Sequence, residues 1–198
     1  MKTKIIVITH PDTSWTTVGR YQGHVDVPLN EVGLAKVAKV VERFSDEAIS
    51  CVYSSDLSRS FETAAAIAKD HNIKHIADLH LREGRWEKQQ GSYEYPLLPF
   101  YTELETQADV IKRGCKTIEE IAEKNSGETT LIISHWGITN LFITNVLKND
   151  SNFHDQYLGI LAAVNIFEFD SGIWRCLSLN ESGFLDGFTS TNIPFSST

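Results

Sequence analysis

The chain has 198 residues, of which 41% are hydrophobic and 22% charged, so it is long enough for one domain with a substantial core. Its net charge of −8 argues against nucleic acid or an anionic membrane as partner, because both select basic protein faces. Three cysteines without CxxC spacing, no signal segment and no membrane-length apolar run favour reduced thiols in a cytoplasmic protein.

Strands and helices alternate along the first half of the chain. Residues 4–9 form a short β-branched run, typical of a strand covered on both faces. Asn30 is suited to cap a helix, because apolar residues then recur at helical spacing. Residues 49–55 predict a second strand, and the alanine-rich residues 57–72 predict a helix capped by the preceding Ser-Asp pair.

The second half continues the alternation and ends in a hairpin. The predicted elements are a short strand and its exit (73–81), a loop or lid (82–101), a helix (102–124), a buried strand (129–134), a helix (138–147) and two strands joined by a turn at 170–172. This order predicts an α/β three-layer sandwich with a mostly parallel sheet. We expect a single domain over 1–198, with residues 180–198 as a C-terminal tail.

Two histidines follow predicted strands directly. His10 ends the first strand, and His135 ends the strand at 129–134. Ligands bind open α/β sheets outside the carboxyl ends of the strands, so both imidazoles are expected to face one ligand. Arg59 lies one turn into a helix that follows another strand, and its guanidinium is suited to hold a phosphate through two parallel hydrogen bonds.

These residues lie in segments that resemble one known family. THPDTSWTTVGRYQGHVDVPLNEVG (9–33) is similar to the opening signature of the histidine phosphatase superfamily, which has the phosphoglycerate-mutase-like fold. YSSDLSRSFETA (53–64) and IISHWGITNLF (132–142) resemble its arginine and second-histidine segments, and residues 162–180 resemble its closing hairpin. The resemblance covers nearly the whole chain.

The resemblance implies a phosphatase that hydrolyses a phosphomonoester without metal or other cofactor. His10 would attack phosphorus and form a phosphohistidine, since a neutral imidazole is a competent nucleophile near pH 7. Arg59 and His135 would stabilise the phosphoryl oxygens. The implied partner is a small phosphorylated molecule, and a homodimer is an open alternative. The phosphate-binding residues implied are Thr9, Thr16, Arg20, Gln22, Gly23 and Trp136.

A carboxylic acid must protonate the leaving alcohol and then activate water. WEKQQGSYE (86–94) fits the family's spacing after its third strand, which favours Glu87 as this acid. Glu83, in the segment LREG, is the alternative.

The chain departs from the family pattern inside the first motif. Thr9 replaces an arginine that grips phosphate, and losing one such donor costs on the order of 10²–10³ in rate. Pro11 replaces a glycine and lacks a backbone N–H, and Trp136 replaces the glycine after the second histidine.

Three functions follow from these departures. In the first, Arg20, Arg82 or Arg85 compensates for the lost arginine and the protein remains a phosphatase. In the second, the domain has lost turnover and binds a phosphorylated ligand or a protein partner. The third is phosphoryl transfer of the phosphoglycerate mutase type, which a lid over the site would favour by excluding water.

Overall fold

The structure is a computed structural model that describes residues 1–85, 105–147 and 159–188. Its centre is a six-stranded sheet with the spatial order β3-β2-β4-β1-β5-β6. The strands are β1 (Thr3–Thr9), β2 (Cys51–Ser54), β3 (Lys74–Ala77), β4 (Thr129–Ser134), β5 (Val164–Asp170) and β6 (Ile173–Glu181). The first four are mutually parallel, whereas β5 runs antiparallel to β1 and pairs with β6 as a hairpin.

Helices cover both faces of the sheet. They are α1 (Glu31–Phe44), α2 (Ser58–His71), α3 (Gln107–Val110), α4 (Lys116–Lys124) and α5 (Trp136–Leu147), with a π-helical turn (Ile111–Cys115) between α3 and α4. One buried cluster joins α1 and α2 to the sheet through residues such as Ile6, Phe44 and Ile67. A second cluster on the opposite face includes Ile5, Ile118 and Phe142. The predicted three-layer sandwich with a mostly parallel sheet is therefore confirmed.

Local sequence accounts for several boundaries. The Asn30 side chain accepts a hydrogen bond from Gly33 N at 2.8 Å and caps α1 as predicted. At the hairpin turn, Ser171 and Gly172 both have positive φ, of 51° and 84°, which is typical of tight β-hairpins. For α2, the residue before the helix is Leu57, which has no side-chain cap, so neither Ser55 nor Asp56 fills the predicted role.

The chain end differs from the prediction at its boundary. Residues 180–188, predicted to begin a tail, contain the end of β6 and a 3₁₀ turn (Gly183–Leu185). Leu185 is buried against the cluster that holds α1, because the turn folds back over that face. The predicted lid, 88–101, lies outside the described residues. In the described ranges, no helix is both long and apolar enough to span a membrane.

The loop between β1 and α1 is anchored where it leaves the sheet. Asn30 N donates to the Asp12 carbonyl oxygen at 3.0 Å, and a Cβ atom at Gly33 would collide with that same oxygen. Lys36 Nζ lies 2.7 Å from Asp12 Oδ2, with both side chains almost fully buried. This buried ion pair fixes the beginning of α1 against Asp12, the residue after Pro11.

We expect Lys36→Met to lower the free energy of unfolding by about 3–5 kcal/mol, because it leaves the Asp12 carboxylate buried without its counter-ion. The double variant Lys36→Met/Asp12→Leu should recover most of this loss, since no unpaired charge remains. Urea denaturation measures all three proteins. The control Lys39→Met removes an exposed ion pair with Glu42 and should change stability by no more than about 0.5 kcal/mol. Equal losses for Lys36→Met and Lys39→Met would refute the role of the buried pair.

Candidate active site

The parallel pairing of β1 and β4 brings the two predicted histidines together. Thr9 lies opposite Ser134 in the register, and His10 N donates to the Ser134 carbonyl oxygen at 3.0 Å. Each histidine immediately follows the last residue of its strand. Their ring centroids are 5.2 Å apart with an edge-to-face arrangement.

The His10 ring has a defined hydrogen-bonding pattern. Its Nδ1 donates to the Pro11 carbonyl oxygen at 2.7 Å, so this nitrogen carries the proton. Arg59 Nε donates to His10 Nε2 at 3.1 Å, which requires a lone pair on Nε2. Burial and the nearby Arg59 charge lower the pKa of His10 to about 3. The imidazole is therefore neutral at physiological pH, with its lone pair on Nε2.

Arg59 is fully buried in the first turn of α2. Besides His10, its guanidinium donates to the carbonyl oxygens of Gly23 and Val25, each at 2.9 Å. Burial lowers the pKa of Arg59 to about 10, so the group remains a cation at neutral pH. Gly23 has φ of 52°, a conformation that L side chains rarely adopt.

Asp26, a residue that the sequence analysis did not assign, fastens this loop to α2. Its Oδ1 accepts hydrogen bonds from Ser58 N at 2.8 Å and Ser58 Oγ at 2.7 Å. The carboxylate thus occupies the N-terminal end of α2, where the helix leaves backbone N–H groups without partners. The loop carbonyls that hold Arg59 are consequently tied to the helix that carries Arg59.

His135 is also fully buried. Its Nε2 lies 3.4 Å from Ser60 Oγ, and its Nδ1 has no hydrogen-bond partner among the described residues. Burial, then the charge of Arg59 and the proximity of His10, hold the pKa of His135 well below its usual value. A second neutral imidazole therefore stands beside the first.

Glu83 is the buried carboxyl group of the site. Its Oε1 accepts from Gly84 N at 2.9 Å, and its Oε2 accepts from Gly137 N, in the first turn of α5, at 3.0 Å. Burial raises the pKa of Glu83, although these N–H groups and the Arg59 charge oppose the rise. A carboxyl group with a raised pKa is suited to hold a proton and pass it to another atom.

His10, Arg59 and Glu83 line one cavity, part of which is open to solvent. Its lining residues are His10, Thr16, residues 19–23, Arg59, Glu83 and Trp136. The Trp136 indole is held by a hydrogen bond from its Nε1 to the Gly159 carbonyl oxygen at 3.0 Å. The Trp136 side chain therefore forms one wall of the cavity.

Most of the predicted phosphate-binding residues belong to the lining of this cavity. Thr16, Arg20, Gln22, Gly23 and Trp136 line the cavity, whereas Thr9 and His135 are buried and are not among its described lining residues. Glu87 lies outside the described residues. Five of the six predicted phosphate-binding residues thus share one cavity with His10 and Arg59, and Glu83 is the candidate acid that the structure places there.

Three arginines were candidates to replace the guanidinium lost at Thr9. Arg20 lines the cavity, with its guanidinium carbon 3.7 Å from the centroid of the Trp15 ring. Arg82 instead makes a two-pronged pair with Asp56, at 2.7 and 2.6 Å. Arg85 is not among the lining residues that the structure describes. Arg20 is thus the best placed of the three.

Comparison with known proteins identifies the class to which this fold and site belong. A family model described as histidine phosphatase superfamily (branch 1) matches residues 5–182. The chain belongs to this family.

Individual relatives include phosphatases and mutase-like proteins. Phosphoglycerate mutase-like protein 4 of Arabidopsis thaliana is 31% identical over 208 residues, covering 92% of this chain and 89% of that protein. The metal-independent phosphoserine phosphatase of the same plant is 30% identical, covering 69% of this chain and 65% of its own length. Among solved structures, phosphoserine phosphatase from Entamoeba histolytica in complex with 3-phosphoglyceric acid has a TM-score of 0.75 and 25% identity. That match covers 92% of this chain and 99% of the other.

The depressed pKa of His10 predicts a pH dependence of stability. The folded protein does not protonate His10 until about pH 3, whereas the unfolded chain does so near pH 6.5. Between these values the unfolded state binds the extra proton, so stability falls as pH is lowered. We expect His10→Asn to flatten this fall, between pH 6.5 and 5, by up to about 1.4 kcal/mol per pH unit. Urea denaturation at a series of pH values measures the slope, and parallel curves for the two proteins would contradict the assignment.

Proposed function

We propose that this protein is a metal-independent phosphatase that hydrolyses a small phosphomonoester through a phosphohistidine on His10. The observation that carries the proposal is the contact between Arg59 and His10 Nε2, which combines a buried cation with a neutral imidazole lone pair. An anion entering the cavity meets a positive charge and a nucleophile at the same point.

The first step transfers the phosphoryl group to the protein. As the phosphate binds, the Arg59 Nε–H moves from His10 Nε2 to a phosphoryl oxygen, which frees the lone pair. Nε2 then forms a bond to phosphorus while the ester P–O bond breaks, and Glu83 donates its proton to the departing alcohol oxygen. Arg59 stabilises the charge that spreads over the phosphoryl oxygens, and we infer the same role for His135, whose buried ring lies 5.2 Å from that of His10.

The second step regenerates the enzyme. The Glu83 carboxylate takes a proton from water, whose oxygen attacks phosphorus as the P–N bond to His10 breaks. Inorganic phosphate leaves, His10 is neutral again and Glu83 is protonated. The hydrogen bond from His10 Nδ1 to Pro11 supports both steps, because it stabilises the positive charge on the ring while phosphorus is attached.

Arg20 is proposed to supply the cation that Thr9 lacks. Stacking of its guanidinium on Trp15 holds the group at the cavity wall and leaves its in-plane N–H groups for oxygen ligands. The bound molecules named for relatives, among them 3-phosphoglyceric acid, are consistent with a small phosphorylated substrate. A cytoplasmic location and a homodimer stay predictions from the sequence.

A chromogenic phosphomonoester tests turnover. We expect p-nitrophenyl phosphate to be hydrolysed by the wild-type protein and His10→Ala to show only the buffer rate, because the nucleophile is gone. The variant His71→Gln, altered at the last residue of α2, is the matched control and should keep the wild-type rate. Quenching with alkaline denaturant during turnover should trap phosphate on His10, detectable by mass spectrometry of peptides kept at alkaline pH, because the P–N bond is hydrolysed in acid. Equal background rates for wild type and His10→Ala would favour instead a domain that binds phosphorylated ligands without turnover.

Paired glutamate variants identify the acid. We expect Glu83→Gln to lower kcat/KM for phenyl phosphate by about 10²–10⁴, the usual contribution of a positioned general acid. Glu87→Gln should change it far less. Phenyl phosphate is the informative substrate, because phenoxide is a strong base that departs poorly without a proton. The reverse order of effects would assign the role to Glu87, as the sequence spacing predicts.

A further inference from the structure

Residues 80–85, here named the acid segment, carry Glu83 but belong to no strand. Their backbone carbonyls therefore have no partners in the sheet and need other donors, because a buried carbonyl without a hydrogen bond is costly. The structure supplies these donors from distant parts of the chain. Their arrangement decides where the Glu83 carboxyl group points.

Arg113, in the π-helical turn, is the principal donor. Its Nη1 donates to the carbonyl oxygens of His80 at 2.9 Å and Arg82 at 2.7 Å. Its Nη2 donates to the carbonyl oxygen of Glu83 itself at 3.1 Å. One guanidinium thus holds three carbonyls of the acid segment.

The remaining N–H groups of Arg113 bind Glu105. Nε lies 2.7 Å from Oε1, and Nη2 lies 2.8 Å from Oε2. Glu105 also holds the end of the acid segment, since its backbone N donates to the Arg85 carbonyl oxygen and its Oε2 accepts from Arg85 N. A guanidinium has five N–H donors, and all five are used here.

Three further side chains donate hydrogen bonds to the acid segment. His24 Nε2 donates to the Glu83 carbonyl oxygen at 2.8 Å, and the Tyr21 hydroxyl donates to that of Gly84. Ser134 Oγ, at the end of β4, donates to that of Leu81 at 2.8 Å. Every carbonyl from 80 to 85 accordingly accepts a hydrogen bond.

We propose that Arg113, oriented by Glu105, is a positioning residue that sets the reach of the Glu83 carboxyl group to the leaving oxygen. This role rests on the proposed function, because it concerns the proton that Glu83 delivers. Arg113 acts through Glu83 and does not touch the substrate, since each of its N–H groups already has a protein acceptor. The planar fork is essential, because a lysine ammonium has only three donors around one point.

The test compares Arg113→Lys with wild type on two substrates. Phenyl phosphate needs a proton on its leaving oxygen, whereas dinitrophenyl phosphate has a leaving group so weakly basic that it departs without one. Because kcat/KM reports the steps up to phosphoryl transfer, we expect it to fall about 10-fold to 100-fold for phenyl phosphate, the size of effect that misplacing a catalytic group produces. For dinitrophenyl phosphate it should fall less than about threefold, so the ratio between substrates changes. A merely structural role would lower both values in proportion.

Two variants control the comparison. Arg43→Lys alters a distant ion pair between α1 and β6 and should leave both substrates unaffected. Glu105→Gln keeps the Arg113 bonds to the backbone but removes the charge that orients the guanidinium, and it should shift the substrate ratio in the same direction by a smaller factor. It also provides the measurement if Arg113→Lys does not fold, which thermal denaturation reveals.

A double-mutant cycle shows whether Arg113 acts through Glu83. In a Glu83→Gln background, adding Arg113→Lys should not change the substrate ratio further. An active wild type whose ratio is unchanged by Arg113→Lys and Glu105→Gln would overturn the positioning role and leave the proposed function standing. A wild type no faster than His10→Ala on either substrate would overturn both proposals together.

Discussion

The site depends on one buried cation, the guanidinium of Arg59. Removing such a charge from water costs several kcal/mol unless its donors are satisfied, so its acceptors must be held in place. They are the His10 ring and the carbonyls of Gly23 and Val25, and Asp26 ties that loop to the helix from which Arg59 projects. The same charge, together with burial, keeps both His10 and His135 neutral. The position of the Arg59 guanidinium and the neutral state of the two histidines therefore depend on the same buried charge.

A second constraint acts on Glu83, which lines the same cavity. Glu83 is held through its backbone by Arg113, His24 and neighbouring donors, while its carboxyl oxygens accept hydrogen bonds from the backbone N–H groups of Gly84 and Gly137. Within the described part of the chain, this carboxyl group feels the Arg59 charge without forming a direct ion pair with it. Desolvation then dominates its protonation, and its pKa is raised. The cavity lining thus combines a neutral imidazole with a carboxyl group of raised pKa.

The sequence predicted the parts of this site that depend on local pattern. Apolar runs ending at His10 and His135 indicated strand ends, and the parallel pairing of those strands necessarily brings the rings together. Spacing along the chain favoured Glu87 as the acid, whereas the structure places Glu83 in the cavity. The Glu83 carboxyl group accepts a hydrogen bond from Gly137, a residue 54 positions away, and no spacing within one segment encodes such a contact. Asp26 and Arg113 escaped notice for the same reason, because their partners lie far along the chain.

The stacking of Arg20 on Trp15 affects which ligands the cavity binds more tightly. A guanidinium stacked on an indole has lost most of its torsional freedom before a ligand binds. Binding an oxyanion therefore costs little further conformational entropy. The edge of the guanidinium then favours planar, forked acceptors such as carboxylates alongside tetrahedral ones. A phosphorylated molecule with a second acidic group would therefore stay bound beside Arg20 for longer than one whose remaining part is a bare hydrocarbon.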